Sequence, residues 1–228
     1  MSDPRNTAIL IFSRTAEEEA RAKTFSPRQS HVANRRIAQS LIRHTAATAR
    51  KTGLPVFTCF SRDQRGSHFG ERLANAMQAV FAQGYARVIA IGNDSPEISA
   101  ALLLRAARGL AEQNLVLGPA PDGGVYLIGM HRAVFDPKRF TSLPWQSDHL
   151  SESWTTYFSG AITWLPAVHD IDRAGDLRRY LQSTPRFGAL RQKLLSLLAS
   201  AAPIPVPAPA RSPRPAHFSA IPQRAPPW

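Results

Sequence analysis

The segment from Asn114 to Gly129 constrains the fold of this chain more than any other part of the sequence. Two short apolar runs, residues 114–118 and 125–130, flank a Pro-Asp-Gly-Gly turn, and each is long enough for a buried strand. Taken alone, the motif favours a simple hairpin turn. The alternative is a binding loop, because Gly123 and Gly124 would let a ligand approach the backbone beside the Asp122 carboxylate.

Strand-like apolar runs alternate with helical patterns over most of the chain. Residues 8–12 and 88–91 are almost entirely apolar, which is typical of strands buried on both faces of a helix-covered parallel sheet. Further strands are predicted at 54–60, 114–118, 125–130 and 162–165, and helices within 31–52, 69–83, 99–113 and 187–200. We therefore predict an α/β fold, a Rossmann-like single domain with a mostly parallel central sheet flanked by helices.

The C-terminal segment differs in composition from the rest of the chain. Nine prolines fall within residues 203–228, and proline removes backbone donors and favours extended polyproline II conformation. We predict a folded domain over residues 1–200 and a basic, disordered Pro-rich tail over 201–228. A solvated extension is favoured over a segment that binds a proline-recognising groove or an anionic partner.

The formal net charge of +12 raises the question of nucleic-acid binding. Eight of the positive charges follow Asp176, and no acidic residue does. Subtracting these eight leaves +4 for the first 176 residues, which is unremarkable for a domain that handles a phosphorylated metabolite. Because the excess lies at the end of the chain, a nucleic-acid partner is not expected.

Composition also excludes several other classes of protein. The only cysteine, Cys59, lies in an apolar run and is assigned to the core, which rules out an internal disulfide and a Cys-rich metal cage. No apolar run approaches the ~18 residues that span a bilayer, and residues 1–7 lack the order of a signal peptide. We expect a soluble cytoplasmic protein without a membrane span. The sequence has no P-loop, no Gly-x-Ser-x-Gly elbow and no His-Glu-x-x-His motif.

Aspartates follow two of the predicted strands. Asp94 comes directly after the buried run 88–91, where ligands of open parallel sheets bind and where a carboxylate can hold a divalent cation. The alternative, a cap for the helix that begins near Ser99 or a turn residue, is equally weighted. We expect only one of Asp170 and Asp172 to face a ligand, and Asp176 to lie in the first turn of a helix.

Basic residues follow the first strand. Arg14, Lys23 and Arg28 are candidate phosphate ligands, because guanidinium and ammonium groups donate charge-assisted hydrogen bonds to phosphate oxygens. The intervening acidic run, residues 17–19, is interpreted as a solvated surface. The seven histidines show no metal-ligand spacing, and none is assigned to catalysis.

Several of these motifs occur together in the order of a known family. They are Ile9-Leu10-Ile11-Phe12-Ser13-Arg14, Gly70-Glu71-Arg72-Leu73, Ile91-Gly92-Asn93-Asp94-Ser95-Pro96, residues 118–129, Pro144-Trp145 and Asp170-Ile171-Asp172 with Asp176-Leu177. Over about residues 7–182 the chain resembles the rSAM/selenodomain-associated transferase family, which has the glycosyltransferase-A, nucleotide-diphospho-sugar transferase fold. Its relatives include sugar-nucleotide transferases, molybdenum-cofactor guanylyltransferase and 2-phospholactate guanylyltransferase.

The resemblance implies a transferase site. Asp94 and Asp172 would hold Mg²⁺ or Mn²⁺, and the metal would neutralise a diphosphate leaving group during attack by an acceptor oxygen. Asp94 and Asp122 are the candidate catalytic residues, with Asp122 orienting the acceptor or sugar. The substrate-binding candidates are Arg14, Lys23, Arg72, Gly123, Gly124 and Trp145.

The chain departs from the family pattern after the first strand. Ala16 replaces a proline, residues 18–20 replace a Pro-Gly pair, and Phe25 replaces an arginine, so phosphate binding should weaken unless Arg21 or Arg28 compensates. The expected function is a metal-dependent transferase with a nucleotide-activated donor, glycosyltransferase-like with a nucleotide sugar, or a nucleotidyltransferase, and an unidentified small-molecule acceptor. The alternative is a catalytically degenerate binding or accessory protein with this fold.

Overall fold

A six-stranded sheet forms the centre of the structure, a computed structural model that describes residues 6–26, 30–158, 160–184, 186 and 188–200. The strands are β1 (Thr7–Ser13), β2 (Val56–Phe60), β3 (Arg87–Ile91), β4 (Leu115–Pro119), β5 (Val125–His131) and β6 (Ile162–Trp164). Their order in the sheet is β2-β1-β3-β5-β4-β6. The predicted strands all form, with ends that differ by a few residues.

Eight α-helices connect these strands in the described part of the chain. They are α1 (Ala16–Ala22), α2 (His31–Arg50), α3 (Phe69–Ala82), α4 (Ala100–Glu112), α5 (Pro137–Thr141), α6 (Leu150–Tyr157), α7 (Ala174–Ser183) and α8 (Ala189–Ser200). Two short 3₁₀ turns, Ser61–Asp63 and Arg132–Val134, complete the connections. The predicted α/β class with flanking helices is confirmed. None of these helices is long and apolar enough to cross a membrane.

Strand direction brings the functional segments to one edge of the sheet. Parallel pairing joins β1 to β2, β1 to β3 and β4 to β6, whereas β5 runs antiparallel to both β3 and β4. The sheet is therefore mixed but mostly parallel. Because β5 is reversed, the turn between β4 and β5 lies at the edge where β1 and β3 end. The turn that carries Asp122 is thus placed beside the residues that follow Ser13 and Ile91.

Alternating side chains of the strands feed two cores on opposite faces of the sheet. From β1, Leu10 and Phe12 pack with α3, α5 and α6, whereas Ile9 and Ile11 pack with α4 on the other face. A third cluster joins Phe25 to α2, α7 and α8. The central strands read as continuous apolar runs because both faces are covered.

Two expectations from the sequence concern residues for which the structure gives no description. Arg28 and the predicted Pro-rich tail, residues 201–228, both lie outside the described ranges. The domain division at residue 200 therefore stays a prediction. Cys59 is half-buried at the edge of the core beside α3, and no disulfide partner exists in the sequence.

Candidate functional site

A cleft of about 470 Å³ opens at the sheet edge where β1 and β3 end. It is walled by the segment after β1, the start of α3, the β4–β5 turn, the segment before α6 and the segment before α7. The candidates from the sequence that line it are Arg14, Lys23, Arg72, Asp94, Asp122, Gly124, Trp145 and Asp172. Gly123 lies next to the lining but is not part of it. One cavity thus receives residues that are far apart in the chain.

The Lys23 side chain is the centre of a charged cluster in this cleft. Its Nζ atom lies 2.8 Å from Asp94 Oδ2, 2.8 Å from Asp172 Oδ1 and 3.5 Å from Glu19 Oε2. The Lys23 side chain is only 10% exposed, and that of Asp94 is 32% exposed. The two carboxylates proposed from the sequence as metal ligands therefore converge on one cation, which is an ammonium group of the protein itself.

Local structure explains why Lys23 points into the cleft. Thr15 caps α1, and Glu18 Oε2 accepts a hydrogen bond of 3.2 Å from the Thr15 backbone N–H, as in a capping box. After α1 ends, Asn34 of α2 holds the chain: its amide donates to the Lys23 carbonyl at 3.3 Å. Phe25 is 1% exposed and anchors the same segment in the third core cluster. The departures from the family pattern thus build a helix and an apolar anchor.

The interpretation of residues 17–19 as a solvated surface is wrong for Glu19. Its side chain is 5% exposed, because α1 packs against α2 and turns this position toward Lys23. The Lys23 ammonium at 3.5 Å forms an ion pair with Glu19 Oε2, but no described residue donates a hydrogen bond to that atom. Desolvation raises the pKa of Glu19, and the Lys23 ammonium partly offsets this effect.

Mutual attraction keeps Lys23 and Asp94 charged despite their burial. Desolvation alone lowers the pKa of Lys23, but the attraction of Asp94 and Glu19 is larger in sum and raises it. Desolvation raises the pKa of Asp94, whereas the charge and hydrogen bond of Lys23 lower it, and the net shift is downward. Asp94 does not cap α4: Ser99 does so, accepting from Leu102 N at 3.1 Å.

Asp170 lies on the same wall as Asp172, and the expectation that only one of them faces a ligand is wrong. Residues two apart in an extended segment share a side, and the intervening Ile171 is buried on the other. Ser95 donates a hydrogen bond to Asp170 Oδ1. Desolvation and the nearby charge of Asp94 raise the pKa of Asp170 to about 7. Asp176 lies in the first turn of α7, as expected, and accepts a hydrogen bond from Arg173 N at 3.0 Å.

The β4–β5 turn is a hairpin turn that also forms a wall of the cleft. Asp122 Oδ1 accepts a hydrogen bond from Gly124 N at 3.0 Å, and the Asp122 side chain is exposed. Gly123 has a φ of 89°, and a Cβ atom there would lie 1.8 Å from the carbonyl oxygen of Asp148. Glycine is required at this position because backbone from another segment crosses directly over it.

Aromatic and basic residues form the opposite wall. Trp145 Nε1 donates to the Phe140 carbonyl at 2.8 Å, and its ring packs against Gly70 at the start of α3. Arg72 follows in the same helical turn. Arg14 is half-exposed, and its charged partner is Glu19, with Nη1 3.9 Å from Oε1. Trp145 and Arg72 thus lie together at the start of α3, whereas Arg14 lies near Glu19.

Acidic side chains outnumber basic ones around the cleft. The carboxylates are Glu19, Asp94, Asp122, Asp148, Asp170 and Asp172, and the cations are Arg14, Lys23 and Arg72. The charges of Asp94, Asp122 and Asp172 contribute, after desolvation, to the raised pKa of Asp170. The cleft is therefore electronegative and suited to an added cation.

The acidic residues of the cleft can supply part of the coordination that a divalent metal requires. In the described ranges, no three His, Cys, Asp or Glu residues are arranged to hold a metal ion together. Mg²⁺ is commonly bound by one or two carboxylates, with waters and substrate phosphates as the other ligands. Asp94 and Asp172 already place one oxygen each 2.8 Å from a shared cation. The pair thus fits a metal that a substrate helps to coordinate, and not a closed protein cage.

The fold is that of the nucleotide-diphospho-sugar transferases. A provisionally assigned nucleotide-diphospho-sugar transferase from Desulfovibrio desulfuricans G20 superposes with a TM-score of 0.73 at 22% identity, covering 86% of this chain and 97% of that one. At this identity the similarity establishes the fold alone. The chain belongs to the family described as "Uncharacterized protein conserved in bacteria (DUF2064)", which matches residues 25–147.

Two further solved structures are less similar. One is Rv0371C of Mycobacterium tuberculosis H37Rv in complex with manganese, with a TM-score of 0.45, 16% identity, and coverage of 78% of this chain and 99% of that one. The other is a cytidylyltransferase from Leptospira borgpetersenii, with a TM-score of 0.40, 15% identity, and coverage of 86% and 93%. No curated protein matches this sequence.

Some residues that line the cleft were not predicted from the sequence. The capping box of α1 was visible as Thr15-x-x-Glu18 and predicts a helix that would carry Glu19 next to Lys23. Asn93 and Asp148 gave no such signal. Asn93 is buried beneath the cleft and accepts a hydrogen bond of 2.8 Å from Ser13 Oγ, which joins the ends of β1 and β3.

Proposed function

We propose that this protein is a metal-dependent transferase that uses a nucleotide-activated donor. A glycosyltransferase-like reaction with a nucleotide sugar is favoured, and nucleotidyl transfer from a nucleoside triphosphate is the related possibility. The observation that carries the proposal is the convergence of Asp94 and Asp172 on one cation within an electronegative cleft. The narrower rSAM/selenodomain-associated assignment belongs to the same proposal.

The charge of the cleft supports a requirement for metal. A nucleotide donor carries a diphosphate, and six carboxylates against three cations would repel it. A divalent cation bound to Asp94 and Asp172 would offset two units of this negative charge. When bound, Mg²⁺ or Mn²⁺ would also stabilise the charge that develops on the leaving diphosphate.

The residues of this chain have separate tasks in the proposed reaction. Arg14 and Lys23 follow β1 and would bind the donor phosphates, since their cationic groups donate charge-assisted hydrogen bonds. Asp122 lies on the β4–β5 turn with its carboxylate exposed to the cleft, and would orient the acceptor or sugar hydroxyl. Trp145 supplies a fixed aromatic face against which a planar or sugar ring can pack.

A thermal-shift panel of metals and nucleotides tests the proposal. Saturating Mn²⁺ with a nucleoside diphosphate or nucleotide sugar should raise the Tm of the full chain by about 5–10 °C, as expected for ligand at roughly 100-fold its Kd. Asp94→Ala should abolish the shift. Glu112→Ala, an exposed carboxylate at the end of α4, is the matched control and should retain it. A flat response to every nucleotide with metal present would contradict the proposal.

A second function, a degenerate binding or accessory protein, is favoured by one observation. Three carboxylates already neutralise Lys23, so its charge is not free for a phosphate while they hold it. A flat thermal response would support this alternative. In that case deletion of residues 203–228 should remove association with an anionic partner, whereas Asp94→Ala should leave association unchanged.

A further inference from the structure

Arg72 is a cationic group in the cleft whose charge has no counterpart in the described structure. No described carboxylate lies within 4.0 Å of its guanidinium, and no described residue accepts a hydrogen bond from its buried Nε atom. Burial of a charged donor without a partner costs free energy, and because Arg72 lines the cleft, an anion bound there can supply the missing counter-charge. Lys23, in contrast, is surrounded by three carboxylates. Lys23 is therefore paired with carboxylates, whereas Arg72 is not paired within the described structure.

Arg72 and Lys23 approach the cleft from opposite faces of the sheet. Arg72 belongs to α3, whose apolar side packs in the cluster with Leu10, Phe12 and Trp154. The Lys23 segment is anchored through Phe25 in the cluster formed by α2, α7 and α8. An anion bound by Arg72 would consequently lie on the α3 side, separate from the cation point shared by Asp94 and Asp172.

The surroundings of Arg72 are fixed before any ligand binds. His68 caps α3, and Gly70 allows the Trp145 ring to pack against the first turn of the helix. Trp145 is in turn held by its hydrogen bond to the Phe140 carbonyl at 2.8 Å. These contacts place the backbone of Arg72 beside the Trp145 ring, and the Arg72 side chain lines the cleft.

We propose that Arg72 forms an anion subsite on the α3 side of the cleft, which binds a carboxylate or phosphate group of the acceptor substrate. The planar guanidinium matches both groups, since its parallel N–H donors suit two oxygens at once. The assignment to the acceptor rests on the proposed function, in which the donor phosphates lie at the metal on the other side. The anion subsite itself does not depend on metal or nucleotide.

Nuclear magnetic resonance of the arginine Nε–Hε groups tests the subsite in the full chain. The Arg72 signal is assigned by its loss in Arg72→Lys, and inorganic phosphate or acetate is then titrated at constant ionic strength without metal or nucleotide. We expect a saturable shift of the Arg72 signal in the wild type and in Lys23→Met. Arg108, exposed on α4, is the matched control, and its signal should not saturate.

The two probes distinguish the two sources of the anion. Saturation with phosphate but not acetate identifies a phosphate-bearing ligand, and the reverse identifies a carboxylate. In isothermal titration calorimetry, Arg72→Met should weaken binding of the better probe about tenfold or more, whereas Arg108→Met should leave its affinity unchanged. The absence of a saturable Arg72 shift, or its loss in Lys23→Met, overturns the proposal. Neither result depends on the metal and nucleotide panel, so failure of the proposed transferase activity is detected separately.

Discussion

Lys23 donates a hydrogen bond of 2.8 Å to Asp94, which lies seventy-one residues further along the chain. The same ammonium is 2.8 Å from Asp172, so a protein cation links the segment after β1, the end of β3 and the segment before α7. A metal ion at Asp94 and Asp172 would compete with this ammonium. Lys23 would then be released toward the phosphates of a donor.

The competition predicts the behaviour of Lys23→Met. Removal of the ammonium takes the nearest cation from Asp94 and Asp172 and leaves Glu19 with Arg14 alone, at 3.9 Å. It should lower the free energy of unfolding by about 3 kcal/mol in the absence of metal. Mn²⁺ should then stabilise the variant more than the wild type, because no ammonium has to be displaced. Urea unfolding with and without Mn²⁺ measures both effects.

Replacement of a second cation, Arg21, by methionine controls for the loss of a positive charge alone. Arg21→Met removes an exposed cation that pairs with Glu17 at 3.1 Å outside the cleft. Its unfolding free energy and its response to Mn²⁺ should match the wild type, because exposed ion pairs contribute little. If Lys23→Met gains no more from Mn²⁺ than Arg21→Met, the ammonium does not occupy the metal position.

The raised pKa of Asp170 should make the free energy of unfolding depend on pH. The pKa of this carboxyl is raised from 3.8 to about 7, so its ionisation destabilises the folded state. The destabilisation is fully present above pH 7 and is lost as the pH falls toward 4. Asp170→Asn, which can still accept from Ser95, should therefore raise the unfolding free energy by about 1–2 kcal/mol at pH 8 and have little effect near pH 4.

Thermal unfolding between pH 4 and pH 8 measures this difference. Asp63→Asn removes an exposed carboxylate that is not part of the cleft lining, and its effect on the free energy of unfolding should be small. Equal effects of Asp170→Asn at pH 4 and pH 8 would show that the carboxyl does not titrate between them.

Substitution of Gly123 tests how closely the β4–β5 turn packs against the backbone of Asp148. Alanine at this position is strained by the φ of 89° and would also clash with the Asp148 carbonyl oxygen at 1.8 Å. Gly53 has a φ of 72°, but an added Cβ atom there would have nothing within 4 Å. Its substitution therefore measures the cost of the backbone conformation alone. We expect Gly53→Ala to cost about 1 kcal/mol and Gly123→Ala at least about 3 kcal/mol in urea unfolding. Similar costs would contradict the close approach of the two segments.

Substitution of Gly70 tests how much the packing of the Trp145 ring contributes to stability. A Cβ atom at Gly70 would lie 2.2 Å from Trp145 Cδ1, so Gly70→Ala should displace the Trp145 ring and cost about 1–3 kcal/mol. Gly175 occupies the equivalent second position of α7 with open space around it, and Gly175→Ala should be neutral or stabilising. Urea unfolding and the intrinsic tryptophan emission spectrum report the two effects. An unchanged spectrum in Gly70→Ala would argue against the contact.

Much of the fold was predictable from the sequence. Continuous apolar runs such as residues 88–91 identified the buried strands, because only strands covered on both faces can be apolar throughout. The helix predicted within residues 69–83, which is α3, and the turn at Asp122 were visible for similar local reasons. Helix α1 was also encoded locally, in the Thr15–Glu18 capping box, but it was not recognised because the acidic run suggested solvent exposure.

The sequence by itself determined the strands, the main helices and the types of residue that follow the strands, since periodicity, propensity and turn chemistry act over a few residues. Only the tertiary structure decided that the Lys23 ammonium lies where Asp94 and Asp172 meet, that Glu19 is buried beside it, and that the buried Nε of Arg72 has no hydrogen-bond partner in the described structure. Those relationships depend on the sheet order and on the packing of α1 against α2. They arise from contacts between distant segments, for which the local pattern carries no signal.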